Sequence, residues 1–210
     1  MTMKTVSISL LLVLTFISAG FSQSKVKRID DLVKTYHEYG LFTGTILVSE
    51  NGIPNIDSNH VVLEKKIDGC QMVLDHFIDL EITENIVLLT QKNIDEVYDL
   101  IWLVMPGFYQ KRGFEMGNFF GIFKDDKLVA ISGQRMQTDD FIEVSSVVTH
   151  PDYTKRGFAR QLITHTTKEI LKQNKLPILH TNKGNKAIPL YEKLGYKLSR
   201  NMNWLLFSKK

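Results

Sequence analysis

The stretch SVVTHPDYTKRGFARQL, residues 146–162, has the residue types and spacing most suggestive of chemistry. An apolar, strand-like run ends in a polar loop, and the loop opens into a helix at Gly157. The first backbone N–H groups of a helix have no partner within it, and the helix dipole makes that end partly positive. Lys155 and Arg156 add full charges beside it. Gly157 carries no side chain, so a ligand can approach the backbone closely, and Ala159 keeps the next turn small. Such an arrangement suits a pyrophosphate. The loop is not a P-loop, because Gly-Lys-Ser/Thr is absent. It is not a dinucleotide-binding fingerprint either, because the second and third glycines are missing.

The elements that must hold this loop can be read from periodicity. From residue 84 the predicted order is β-α-α-β-β-β-α-β-α-β. Residues 86–89 read as a short strand. Residues 90–93 cap a helix running to about Val104, with Ile94, Val97, Leu100, Ile101 and Val104 on one face. Pro106-Gly107 ends it, and residues 108–116 read as a second short helix. Strands over 118–123 and 127–136 flank an Asp125-Asp126 turn, which is a hairpin signal. A third strand spans 141–149. The helix after the loop places Phe158, Leu162, Thr166 and Ile170 on one face, with Ala159 and Ile163 beside it. Residues 177–181 read as a strand and 186–194 as a helix ending at Gly195. Residues 196–208 fit one long strand or a closing hairpin. Residues 61–80 fit one helix or two short strands. The predicted fold class is a mixed α/β sheet domain with an N-terminal helix–strand appendage.

The chain has 210 residues, 43% hydrophobic and 23% charged, with a net charge of +3. This is ordinary for a globular protein and gives no basis for a nucleic-acid partner. The single cysteine, Cys70, excludes an internal disulfide and lies in no reactive-thiol signature. His37, His60, His76, His165 and His180 show no ligand spacing, so no metal site is expected. The first 22 residues have a basic Lys4, an apolar run over 6–17 and small residues before Gln23, which predicts a cleaved signal peptide and export to the periplasm or outside the cell. Residues 29–39 have helical spacing, 42–48 alternate as a strand, and residues 50–52 form a turn. The polar run over 54–60 reads as a junction. No second hydrophobic run approaches membrane length.

The segment IDDLVKTYHEYGLFTGTILVSENG, within residues 24–52, resembles the start of serine beta-lactamase-like hydrolases. The nucleophile motif Ser-x-x-Lys, which that family requires, does not occur downstream of Gly52. The loop at 154–159, Thr-Lys-Arg-Gly-Phe-Ala, resembles the acetyl-CoA loop of the GNAT family of N-acetyltransferases, Gln/Arg-x-x-Gly-x-Gly/Ala, with Thr154 at the first position. The later stretch AIPLYEKLGY, residues 187–196, resembles that family's Ala-x-x-Leu-Tyr-x-x-x-Gly-Phe/Tyr helix. The two motifs stand in the family's order, and the resemblance covers about residues 84–210. It divides the chain into a signal peptide (1–22), an appendage (23–60), a connecting segment (61–83) and a GNAT domain.

The resemblance implies transfer of an acetyl group from acetyl-CoA to a primary amine of a small molecule or peptide. It implies a CoA arm lying between splayed strands against the backbone of Val147 and Val148. The pyrophosphate would lie on Lys155, Arg156, Gly157, Phe158 and Ala159. The family's asparagine falls on Gly184, which leaves Asn185 or Asn182, with Asn185 the candidate cofactor contact. Tyr191 matches the tyrosine that protonates the departing sulfur. Glu143 stands where some branches place a general base, on the face of Ser145 and Val147, and a partly apolar cleft would raise its pKa. His150 is the second candidate. Phe108, Tyr109, Phe114, Phe119 and Phe120 line either an acceptor pocket or the core. Acetyl-CoA chemistry suits the cytoplasm, which conflicts with the export signal. A degenerate GNAT-like binding module and a hydrolase relic are the competing expectations.

Overall fold

The computed structural model describes residues 49–50, 53–54, 61–107 and 109–209. The expected signal peptide, the helix over 29–39 and the strand over 42–48 lie outside the described residues, as does Phe108. The chain divides into two units, Glu64–Leu206 and a smaller one of Met1–Leu63 with Phe207–Lys210. In the smaller unit β1 (Ser49–Glu50) and β2 (Ile53–Pro54) pair antiparallel.

The main sheet has seven strands in the order β4-β5-β6-β7-β8-β3-β9. They are β3 (Val61–Leu74), β4 (Ile86–Leu88), β5 (Phe119–Lys124), β6 (Lys127–Gln137), β7 (Phe141–Thr149), β8 (Leu176–Asn182) and β9 (Tyr196–Lys209). The helices are α1 (Ile94–Val104), α2 (Phe158–Leu171) and α3 (Ile188–Lys193). Residues 111–116 form a 3₁₀ turn rather than the expected second α-helix. β4-β5, β5-β6, β6-β7 and β8-β3 pair antiparallel, and β7-β8 pair in parallel. The β5–β6 turn is the expected two-residue Asp125-Asp126, both with positive φ (49° and 59°), which matches the twist of the flanking strands.

Residue alternation along the strands builds two layers of core. On one face Phe119, Ile131 and Val148 pack with Val97, Leu100 and Ile101 of α1. On the other, Phe120, Ile122 and Ala130 pack with Phe158 and Leu162 of α2, while Met72, Ile142, Val144 and Leu179 pack with Ile163 and Ile170 of α2, Tyr191 of α3 and Leu194 just after it. The α2 face is the one its periodicity predicts. Val104, expected on the buried face of α1, is exposed because it sits in the last turn before Pro106-Gly107.

Residues 61–74 form one long strand, neither a helix nor two short strands. Cys70, Met72 and Leu74 alternate into the core, and Gly69 and Gln71 face the other way. The charged first half, LEKK, hides this alternation in the sequence. Residues 196–209 likewise form one strand rather than a hairpin. Past β3, the backbone N–H groups of Thr83 and Glu84 donate to the buried Gln161 Oε1 of α2 at 2.8 and 2.9 Å. That contact fixes the approach to β4. No helix among the described residues is long and apolar enough to cross a membrane.

Candidate active site

The site begins with a defect in the sheet. Ile131 of β6 faces Val148 of β7, and Gly133 faces Ser145. One β6 residue therefore opposes two on β7, Ser146 and Val147. Ser146 takes the extra turn with φ 52°. A one-residue bulge reverses the alternation beyond it. Val147 consequently packs on the face of Ile142 and Val144, in the cluster that holds Tyr191, and Val148 packs on the α1 face. The expectation that Glu143 and Val147 share a face is corrected here: simple alternation predicts it, and the bulge between them breaks it.

The second feature is a gap. The parallel ladder of β7 and β8 runs from Phe141–Leu176 to Val144–Leu179 and ends there. From Ser145 on β7 and His180 on β8 the strands part. At the far end of the gap the chain makes a 3₁₀ turn over Pro151–Tyr153 and enters α2 through Gly157, whose φ is 81°. No side chain caps α2, and a Cβ placed on Gly157 would meet nothing within 4 Å. The space in front of the helix is open. Lys155 and Arg156 are exposed beside it. Arg156 stacks on Tyr153, 4.7 Å from its ring, and donates to the Asp152 carbonyl at 3.2 Å, so its position is set by the turn. Phe158 is buried and anchors the first turn, and Ala159 is half-buried. The arrangement fits a polyanion on physical grounds: unpaired helix N–H groups, two cations and no obstructing side chain.

Tyr191 of α3 is nearly buried, and burial pushes its hydroxyl pKa up, so it stays protonated through the neutral range. Asn185 is engaged within the turn before α3. Its Nδ2 donates to Thr181 Oγ1 at 2.6 Å, and its Oδ1 accepts from the Ala187 N–H at 2.8 Å. Tyr109, Phe114, Phe119 and Phe120 are buried. The first three pack with α1, Phe114 stacked on Phe119 at 4.9 Å, while Phe120 packs on the α2 face.

Glu143 lies on the other face of the sheet from Tyr191, 1% exposed, in a charged chain that the sequence did not reveal. Arg135 of β6 clamps it with two hydrogen bonds, Nε to Oε2 at 2.9 Å and a terminal nitrogen to Oε1 at 2.6 Å. His180 Nδ1 stands 2.9 Å from Oε1, and His180 Nε2 stands 2.9 Å from Gln71 Nε2 of β3. Burial alone pushes the Glu143 carboxyl up, but the hydrogen bonds and charges of His180 and Arg135 outweigh it and hold the pKa below its ordinary value. The expected raised pKa is thus corrected, because an apolar cleft was anticipated and a guanidinium occupies it. His150 contacts Lys127 Nζ at 2.9 Å at the end of β7. A cavity of about 500 Å³ there is lined by Glu96, Asp99, Asp125 and Asp126 together with Lys127 and His150. Its four carboxylates make it a poor host for a polyanion.

The chain Arg135–Glu143–His180 yields a stability prediction. The folded state lowers the Glu143 pKa, so it binds that proton more weakly than the unfolded chain does. The resulting stability is present above the ordinary glutamate value, about 4.3, and is lost as pH falls through the lower folded value. In Arg135→Met the buried carboxylate keeps His180 and a long contact from the Met136 N–H at 3.4 Å. Since Arg135 is itself 42% exposed, the expected cost is about 2 kcal/mol at pH 7, below the 3–5 kcal/mol typical of a fully buried pair. Urea midpoints at pH 7 and pH 4 check this, and the gap between wild type and variant should narrow at pH 4.

A family model described as FR47-like protein matches residues 119–205. A protein of the GNAT acetyltransferase family from Novosphingobium aromaticivorans is 30% identical at a TM-score of 0.67, covering 71% of this chain and 68% of that one. A GCN5-related N-acetyltransferase-like protein from Streptococcus suis superposes at a TM-score of 0.52 with 17% identity, covering 73% of this chain and 64% of that one. The ribosomal-protein-S18-alanine N-acetyltransferase from Escherichia coli does so at 0.51 with 19% identity, covering 59% and 94%. No curated protein sequence matches the chain. The sheet with its gap and helices has the acyl-CoA N-acyltransferase fold, and the chain belongs to the GNAT family of acetyltransferases. The family model does not reach residues 24–52, and the hydrolase resemblance expected there is not shown.

Proposed function

We propose that the chain transfers an acetyl group from acetyl-CoA to a primary amine of a small molecule or peptide. The observation that carries this reading is the parting of β7 and β8 beyond Val144–Leu179, in line with the open turn at Gly157. Acetyl-CoA supplies the acyl group as a thioester. Lys155, Arg156 and the first N–H groups of α2, over Phe158 and Ala159, hold its pyrophosphate. The backbone of Val147 and Val148 offers hydrogen bonds to the arm in the gap and to the acyl oxygen. Asn185 acts through the turn it caps, which orients α3 and so Tyr191.

The two faces of the gap divide the chemistry. Tyr191 stands on the α2–α3 face, on which Val147 also packs, and serves as proton donor to the departing thiolate. Glu143 and its partners stand on the opposite face, where an amine can approach without displacing the CoA arm. Acetyl-CoA binding is tested by the melting temperature of the chain with and without the ligand, and turnover by thiol release with a panel of simple primary amines. Tyr191→Phe is expected to keep the thermal shift and to lower kcat about 10²-fold, with little change in KM for acetyl-CoA. An unchanged kcat would remove Tyr191 from the acid role.

A further inference from the structure

We propose that His180, rather than Glu143, takes the proton from the acceptor amine, and that Glu143 is its positioning residue; this rests on the acetyltransferase reading above. Glu143 is poorly placed to act alone. His180 is almost as buried, 5% exposed against 1%, so burial does not separate the two; what does is Arg135, which holds both oxygens of Glu143. An amine would have to displace a bidentate guanidinium to reach it. The carboxylate can only accept hydrogen bonds, so the proton between Glu143 and His180 belongs to Nδ1 of the imidazole. Nε2 is then the bare, basic nitrogen, and the Gln71 side-chain amide donates to it at 2.9 Å. Gln71 and Nε2 thus mimic the contact that an ammonium group would make.

The position of His180 supports the same assignment. It is the first β8 residue beyond the last pair of the β7–β8 ladder, and its ring lies across β8 with Nδ1 turned to β7 and Nε2 to β3, so an amine reaches Nε2 over this face of the sheet. Its register partner across β3 is Gln71, and both share the face of Glu143. The charged group behind the pair is Arg135 from β6, and the facing group from β3 is the uncharged Gln71. The Trp204 ring, within 2.5 Å of a Cβ built on Gly69, floors the same face two residues along β3. The acceptor class is therefore a protonated primary amine on a chain slender enough to displace the Gln71 amide.

The protons balance as follows. The acceptor R–NH3+ gives one proton to Nε2, and the Glu143 carboxylate balances the imidazolium charge. The nitrogen lone pair forms the C–N bond, and the C–S bond breaks with its electron pair left on sulfur. The second nitrogen proton reaches the thiolate by way of the Tyr191 hydroxyl. His180 returns its proton to solvent. The products are an amide, a thiol and one proton.

The test uses the full chain and His180→Asn. The Asn amide nitrogen can still donate to Glu143 where Nδ1 did, so a structural role is preserved and the base is lost. With propylamine and a short peptide bearing a free α-amine as probes, thiol release should fall at least 100-fold while the acetyl-CoA thermal shift stays intact. The acid limb of the wild-type kcat/KM profile should vanish in the variant. In wild type without ligand, 15N NMR should find His180 protonated at Nδ1 and bare at Nε2, and Glu143→Gln should abolish that tautomer preference. Activity within threefold of wild type in His180→Asn overturns the proposal. So does a wild-type profile without the acid limb, the opposite tautomer, or a chain that binds acetyl-CoA but releases no thiol to either probe. A chain showing no thermal shift with acetyl-CoA fails at the earlier step, and both readings fall with it. Should His180→Asn not fold, the wild-type profile and tautomer decide.

Discussion

Gly157→Glu is expected to abolish the thermal stabilisation that acetyl-CoA gives the wild-type chain. A ligand bound only by the folded state at about 100 times its Kd adds about 2.7 kcal/mol, which is about 5–10 °C in Tm for a domain of this size. The glutamate would act twice. Gly157 has φ 81°, a conformation that costs a residue with a Cβ about 1–2 kcal/mol. Its carboxylate would also enter the open space in front of α2 and repel a pyrophosphate there. Gly157→Ala separates the two effects. Its Cβ meets nothing within 4 Å, so only the backbone strain remains, and a reduced but measurable ligand shift should survive. Retention of the full shift in Gly157→Glu would place the polyanion elsewhere.

The largest loss of stability is expected from Gly195→Ala. Gly195 also has a positive φ, 88°, so the strain term matches that of Gly157→Ala. The surroundings differ. A Cβ at Gly195 would stand 1.8 Å from the His76 carbonyl oxygen, a backbone atom that no rotamer change can move. Adding an overpacking cost of about 1–3 kcal/mol to the strain of about 1–2 kcal/mol gives about 2–5 kcal/mol. The two alanine variants therefore form a pair, and the difference between their urea midpoints isolates the clash. The functional consequence follows from position. The Gly195 carbonyl accepts from the Asp75 N–H at 2.9 Å, joining the end of α3 to the end of β3. Movement there shifts α3 and Tyr191 with it, so thiol release should fall further than the lost stability alone explains.

Much of the fold was legible because its signals are local. The Asp125-Asp126 turn, the buried stripe of α2, the limits of α1 and the glycine after α3 each depend on residues a few positions apart. The open turn at Gly157 was legible for the same reason, since a helix start, two cations and a glycine are contiguous. β3 was not legible. Its strand character comes from insertion between β8 and β9, and its first half is charged and exposed.

The sequence by itself determined α1, α2 and α3, the hairpin, the open turn at Gly157 and the family that its two motifs resemble. Tertiary structure alone decided the chemistry around Glu143. Arg135, Glu143, His180 and Gln71 come from four strands, and His180 and Gln71 are 109 positions apart. No short-range pattern links residues so distant. Sheet order and register bring them together, and the Ser146 bulge then places Val147 and Glu143 on opposite faces. The sign of a buried carboxylate's pKa shift depends on which groups face it across neighbouring strands. That is why the sequence could mark Glu143 as a candidate while misjudging the direction of its pKa shift, and why it named His180 as a histidine without ligand spacing and gave it no role.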